Sequence, residues 1–185
     1  MKNLIKIFTL FSFSLLILSC HNTAEVPEDV HDHEEIEKMT LTVSLQGSSE
    51  VQTISYVGGV ADRDLVLESG KVYDVSVDFY HRHDDHYHSM LDEIIAEKDE
   101  HFVTFEVAGF TAQVVRAEDD VVRTDGHRLG LRTRWTITSA PSNARVDVKL
   151  YHGPTSVDQN YPSQGNQLGR VTGGEADVDA KITVK

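Results

Sequence analysis

The chain is expected to fold as an all-β, immunoglobulin-like antiparallel β-sandwich with one short helix at about residues 89–98. Three observations carry this expectation. Seven or eight segments alternate apolar and polar residues at period two, as strands with one buried and one solvated face do. Turn residues separate them at short intervals. Only one stretch, Ser89 to Glu100, switches to helical spacing.

In chain order, residues 1–19 lie outside that fold. Lys2 and Lys6 make a positive start, and the apolar run Ile7 to Leu18 is too short for a membrane span, so the segment reads as a secretory signal. It ends Ile17-Leu18-Ser19-Cys20. A small residue followed by the sole cysteine resembles a bacterial lipobox, with cleavage before Cys20 and lipidation of that residue. The plain alternative is an ordinary signal with an incidental cysteine. His21, rather than Asp, follows the cysteine, which by resemblance to sorting signals points to the outer membrane. A single cysteine excludes an intrachain disulfide.

Residues 20–38 are polar and acidic, with Pro27 and Glu34-Glu35-Ile36-Glu37, and read as a disordered tether. Residues 39–185 are then one domain, long enough for a single core. Loss of residues 1–19 removes two lysines and no acid, taking the formal charge from −13 to −15. Such a surface repels nucleic acid and concentrates divalent cations. It also simply keeps a secreted protein soluble.

The strands follow from the alternation. Leu41, Val43 and Leu45 share one face of the first, and Ile54 and Tyr56 mark the second. Tyr73, Val75, Val77 and Phe79 make the third, and Val103, Phe105 and Val107 the fourth. Leu129, Leu131, Thr133, Trp135 and Ile137 alternate next, with Trp135, the only tryptophan, as a core anchor. Val146, Val148 and Leu150, then Val178, Ala180, Ile182 and Val184, complete the set. Between Tyr80 and His101, Leu91, Ile94 and Ile95 stand at helical spacing, and Ser89 with Asp92 suggests a capping box.

The strongest compositional departure lies at the expected strand-to-helix junction. His81, His83, His86 and His88 fall in Tyr80-His-Arg-His-Asp-Asp-His-Tyr-His88. Neutral imidazole binds zinc, copper and nickel, and His-rich tracts bind metal. Residues two apart on a strand share a face, so His81 can pair with His83, and His86 with His88. Asp84 and Asp85 add oxygen donors, and the helix would bring back His101 or Glu97 as an extra ligand. With 10 His against one Cys, the expected ion is Zn²⁺, with Cu²⁺ and Ni²⁺ as alternatives. Protons compete for the same nitrogens, so affinity is expected to weaken below about pH 6.5. The plain reading is a solvated loop with no defined site.

His31 and His33 in the tether suit loose secondary metal capture. His127, in Asp125-Gly126-His127, reads as a turn residue, and His152, before Gly153-Pro154, as a strand end. Glu118-Asp119-Asp120 reads as a charged turn before it reads as a calcium loop. The polar stretch Gly153 to Gly174 is long enough to be a partner-binding surface. The sequence contains no Gly-x-Ser-x-Gly, His-Glu-x-x-His, P-loop or Gly-x-Gly-x-x-Gly, and no catalytic residues are assigned.

Several pieces together carry a family resemblance. They are the acidic tether running into Ile36-Glu-Lys-Met-Thr-Leu-Thr-Val-Ser-Leu45, the helix end Glu97-Lys-Asp-Glu-His101, Leu150-Tyr-His-Gly-Pro154, and the closing Gly173-Gly-Glu-Ala-Asp-Val-Asp-Ala-Lys-Ile-Thr-Val184. Over roughly residues 36–185 the chain resembles small lipoproteins of Bacteroidota often encoded beside TonB-dependent receptors. Such proteins often carry a generic periplasmic-binding-fold label, which the strand pattern here does not support. The resemblance implies a receptor-associated accessory protein and no catalysis, with residues 81–88 as an elaboration suited to metal uptake.

The leading expectation is a lipid-anchored, zinc-binding accessory protein for outer-membrane metal acquisition, with a TonB-dependent receptor as partner. The rival is a non-catalytic interaction lipoprotein that docks such a receptor, its histidines incidental or haem-binding. A hydrolytic metalloenzyme ranks third, because it needs a general base beside an open coordination position, which no motif locates.

Overall fold

The computed structural model describes residues 35–185, and the expected signal peptide, Cys20, His31 and His33 lie outside them. The alternating segments form two antiparallel sheets. The first contains β1 (Lys38–Leu45), β2 (Val51–Val57), β3 (Val60–Ala61), β4 (Val72–His83), β5 (His86–Ser89), β7 (Ala112–Arg116) and β8 (Arg132–Ile137). Its order is β3-β2-β1-β4-β8-β7, with β5 added to the far end of β4. The second sheet has the order β14-β9-β6, from β6 (His101–Ala108), β9 (Ala144–His152) and β14 (Glu175–Val184). Two small ribbons, β10 (Ser156–Asp158) with β13 (Arg170–Thr172) and β11 (Pro162–Ser163) with β12 (Asn166–Gln167), occupy the long polar stretch.

The faces predicted to be apolar meet in the core. Leu41, Val75, Val77, Phe79, Trp135 and Ile137 of the first sheet pack against Val103, Phe105, Val146, Val148, Leu150, Ala180 and Ile182 of the second. Trp135 is fully buried, its ring edge-on to Phe105 at 5.6 Å, and its indole N–H donates to Thr133 Oγ1 at 2.8 Å. The all-β sandwich is therefore as the alternation implies. Leu129 and Leu131 are buried but precede β8, so that strand is shorter than its alternation suggests. β7 was not anticipated, because a five-residue run containing Gln113 and ending in Arg116 carries little apolar signal.

The seams between the sheets are closed by short segments. On one side Leu65 N–H donates to Thr183 O, and Lys185 N–H to Leu65 O. On the other, the side-chain oxygens of Asn166 and Gln167 accept from the outward N–H groups of Val114 and Arg116 at 2.9 and 2.8 Å, and Leu168 O accepts from Phe105 N–H. Amide side chains thus take the place of a neighbouring strand on β7 and blunt an edge that would otherwise pair with another chain. Part of the Gly153–Gly174 stretch is consequently a cover for strand edges.

The helix, α1 (Leu91–Ala96), is shorter than the expected 89–98. Ile94 is buried in the core, whereas Ile95 is 39% exposed. The expected capping box does not form. Met90 is the N-cap and makes no side-chain cap bond. Ser89 still belongs to β5, and its hydroxyl donates to Asp78 Oδ1 at 2.8 Å while accepting from Leu91 N–H at 3.2 Å. Its strand pairing holds it one residue before the position a cap requires.

Candidate metal site

The histidine run is a β-hairpin, which corrects the expectation of a loop at a strand-to-helix junction. β4 continues past Tyr80 to His83, turns at Asp84 and Asp85, and returns as β5 with His81 opposite His88 and His83 opposite His86. Asp84 takes φ 55, the left-handed conformation that Asp tolerates better than most residues. Opposed residues in a ladder point to the same face, as do residues two apart along a strand. All four histidines therefore share one face. It continues the face that Phe79 presents to the core, but it is no longer covered: His83, His86 and His88 are exposed and His81 is half-buried.

The other face of the hairpin is braced. The Lys38 ammonium lies 4.8 Å from the Tyr80 ring centre and 5.0 Å from that of Tyr87. Arg82 donates from Nε to Asp84 O at 2.9 Å and reaches to within 3.8 Å of the Asp85 carboxylate. Cation–π contacts at exposed sites contribute roughly 0.5–1 kcal/mol each. Together with the ladder bonds they hold the hairpin backbone.

The imidazoles are close but not converged. The His81 and His88 ring centres are 5.5 Å apart and those of His83 and His88 6.1 Å. Rings bound through one nitrogen to a four-coordinate zinc ion, at Zn–N of about 2.0–2.1 Å, have centres roughly 5 Å apart. The observed separations exceed this by an amount that rotation of exposed side chains can remove. Among the described residues no group of three or more His, Cys, Asp or Glu stands in metal-ligating geometry. The donor set thus fits a transition-metal ion in chemistry, while its rings stand farther apart than in a formed site and are not aimed at one point.

The carboxylates of the run lie at the turn of the hairpin. Asp84 Oδ2 lies 3.5 Å from His83 Nδ1, and the Asp85 side chain is 94% exposed. Neither is grouped with two or more further ligands among the described residues. His101 does not join the hairpin histidines in a ligand group either. It is buried at the start of β6, opposite His152 at the end of β9, and the two rings stack with centres 5.0 Å apart. Its Nδ1 lies 3.1 Å from Glu97 O, and Glu100 Oε2 lies 3.3 Å from His152 Nε2. Burial pushes the His101 pKa down, against the opposing pull of the Glu97 carbonyl. This pair was invisible in the sequence, because only the β6–β9 register makes residues 51 positions apart neighbours.

The remaining acidic and basic candidates are structural. Asp120 is buried and accepts from Gly130 N–H at 2.6 Å and Arg132 N–H at 3.0 Å. Burial holds its carboxyl above the usual range in spite of those bonds. Asp119 pairs with Arg132 at 2.6 Å, and Asp120 N–H donates to Ala117 O at 3.2 Å in the charged turn expected here. His127 also sits in a turn, its N–H donating to Asp125 Oδ1 at 2.9 Å.

No known protein family, curated protein or solved structure matches the chain. Among the described residues no helix is long and apolar enough to cross a membrane.

Proposed function

We propose that this protein binds a divalent transition-metal ion, zinc first, on the histidine face of the β4–β5 hairpin. It would do so as a lipid-anchored accessory to an outer-membrane receptor. The observation that carries the reading is the register: four imidazoles on one exposed face of a two-stranded ladder, with ring centres 5.5 and 6.1 Å apart. His81, His83, His86 and His88 would hold the ion. When bound, it would be cargo for transfer and not a catalyst. The expected net charge of −15 in the mature chain supports the reading by drawing cations toward the surface. The anchor rests on Cys20 and the receptor on the family resemblance.

Equilibrium dialysis against Zn²⁺ at pH 7.5 tests the reading. At least one ion retained per chain is expected. No retention above that of a histidine-free control protein would end it.

A further inference from the structure

We infer that the hairpin holds its ion through three nitrogens, from His81, His83 and His88, with His88 at the centre and the fourth coordination position left to an outside donor. This rests on the metal reading above and specifies the site within it. Register alone treats His86 and His88 alike, since each faces one histidine across the ladder and lies diagonal to another. The rings break that symmetry. His88 approaches both His81 and His83, whereas His86 makes no ring contact with any of them among the described residues.

Three further features favour an ordered site. The Lys38, Tyr80, Tyr87 and Arg82 contacts fix the backbone from behind, so the ligands hang from a held ladder. Asp84 Oδ2 lies 3.5 Å from His83 Nδ1, the place of a carboxylate behind a ligating imidazole, so Nε2 is the nitrogen open to the metal. His81 and His83 stand about 6.6 Å apart along the strand, from a rise of about 3.3 Å per residue, and His88 reaches both from the neighbouring strand. These three nitrogens would approach from the sheet side. The fourth direction would then face solvent, where a carboxylate or imidazole from another molecule can complete the sphere and draw the ion away.

Cobalt titration of the full chain in detergent tests this. His31→Ala and His33→Ala are built into the background to remove capture by the tether, and Co²⁺ alone is the probe. One ion per chain is expected, with the strong visible absorption of four-coordinate cobalt, and the spectrum should shift when free imidazole is added. His88→Ala should weaken binding about a hundredfold or more, His81→Ala and His83→Ala about tenfold or more, and His86→Ala less than about threefold. The four side chains contribute little to the core, so all variants should keep the far-ultraviolet circular dichroism of the parent. A His86→Ala loss equal to that of His88→Ala, or a spectrum indifferent to imidazole, would overturn the three-nitrogen assignment and leave metal binding by the hairpin standing. No binding of cobalt or zinc by the parent would overturn the metal reading itself.

Discussion

Arg116 shows how single residues hold this fold. Its guanidinium is buried, donates to Val103 O at 2.7 Å and Arg128 O at 2.8 Å, and stacks on the Phe102 ring at 4.2 Å. Burial lowers its pKa to about 10, so it stays charged at neutral pH, with Asp120 as the counter-charge. The room for it comes from glycine: a Cβ at Gly130 (φ 98) or Gly169 (φ 84) would collide with the guanidinium. Gly130→Ala should therefore cost about 2–4 kcal/mol, combining left-handed strain with displacement of a buried charge, and urea unfolding measures it. A change within about 0.5 kcal/mol would contradict this account of Arg116. His101 makes a pH prediction. Its folded pKa lies below the unfolded value, so the unfolded chain binds more protons between the two. Its stabilising contribution is fully present above about pH 6.5, the unfolded value, and is lost as pH falls toward the folded pKa. Unfolding at pH 7.5 and 5.5 should show a loss in acid that shrinks in His101→Gln; an unchanged loss would place its source elsewhere. Neither residue's role was legible in the sequence. Both depend on partners distant along the chain, and an arginine at the end of a short run that also contains Gln113 looks like a solvated charge.

At the scale of elements, legibility followed the strength of the period. β4 alternates without a break from Tyr73 to Phe79 and is legible over that stretch, though not in its continuation to His83; β14 is legible as well, and its Val178, Ala180, Ile182 and Val184 are all buried. The hairpin was missed as a hairpin because its strands carry no apolar alternation past Phe79. Histidine sits where a strand would ordinarily place valine, so polar composition read as loop. The cue was the Asp84-Asp85 pair, flanked directly by His83 and His86 with His81 and His88 two residues further out, a spacing that suits a two-residue turn. The helix was placed correctly, but its start was set by strand pairing of Ser89 and not by a cap. Its apolar positions have unequal weight. Ile94→Ala should destabilise by about 2–4 kcal/mol and Ile95→Ala by less than about 0.5 kcal/mol, since only the first leaves a core cavity. Equal effects in thermal unfolding would mean that the helix does not dock on the face described.

At the scale of the whole molecule, short segments close two seams of the sandwich among the described residues, and the histidine face lies outside the packed core. Leu65 to Leu67 covers the end of β14, and Asn166 to Leu168 lies between β7 and β6. The exposed histidine hairpin extends beyond the packed core, so its histidines were readable from composition while their geometry was not. Attachment is a separate claim. Labelling with a radioactive fatty acid in the native host should mark the full-length protein and should disappear in Cys20→Ala; label persisting in that variant would refute the lipobox. The central claim is that the hairpin histidines bind the metal. Calorimetry of Zn²⁺ binding at pH 7.5, comparing the wild type with a variant carrying Ala at His81, His83, His86 and His88, tests it most directly. The account predicts loss of the zinc isotherm with the β circular dichroism spectrum retained; equal zinc affinity in the two proteins would contradict it.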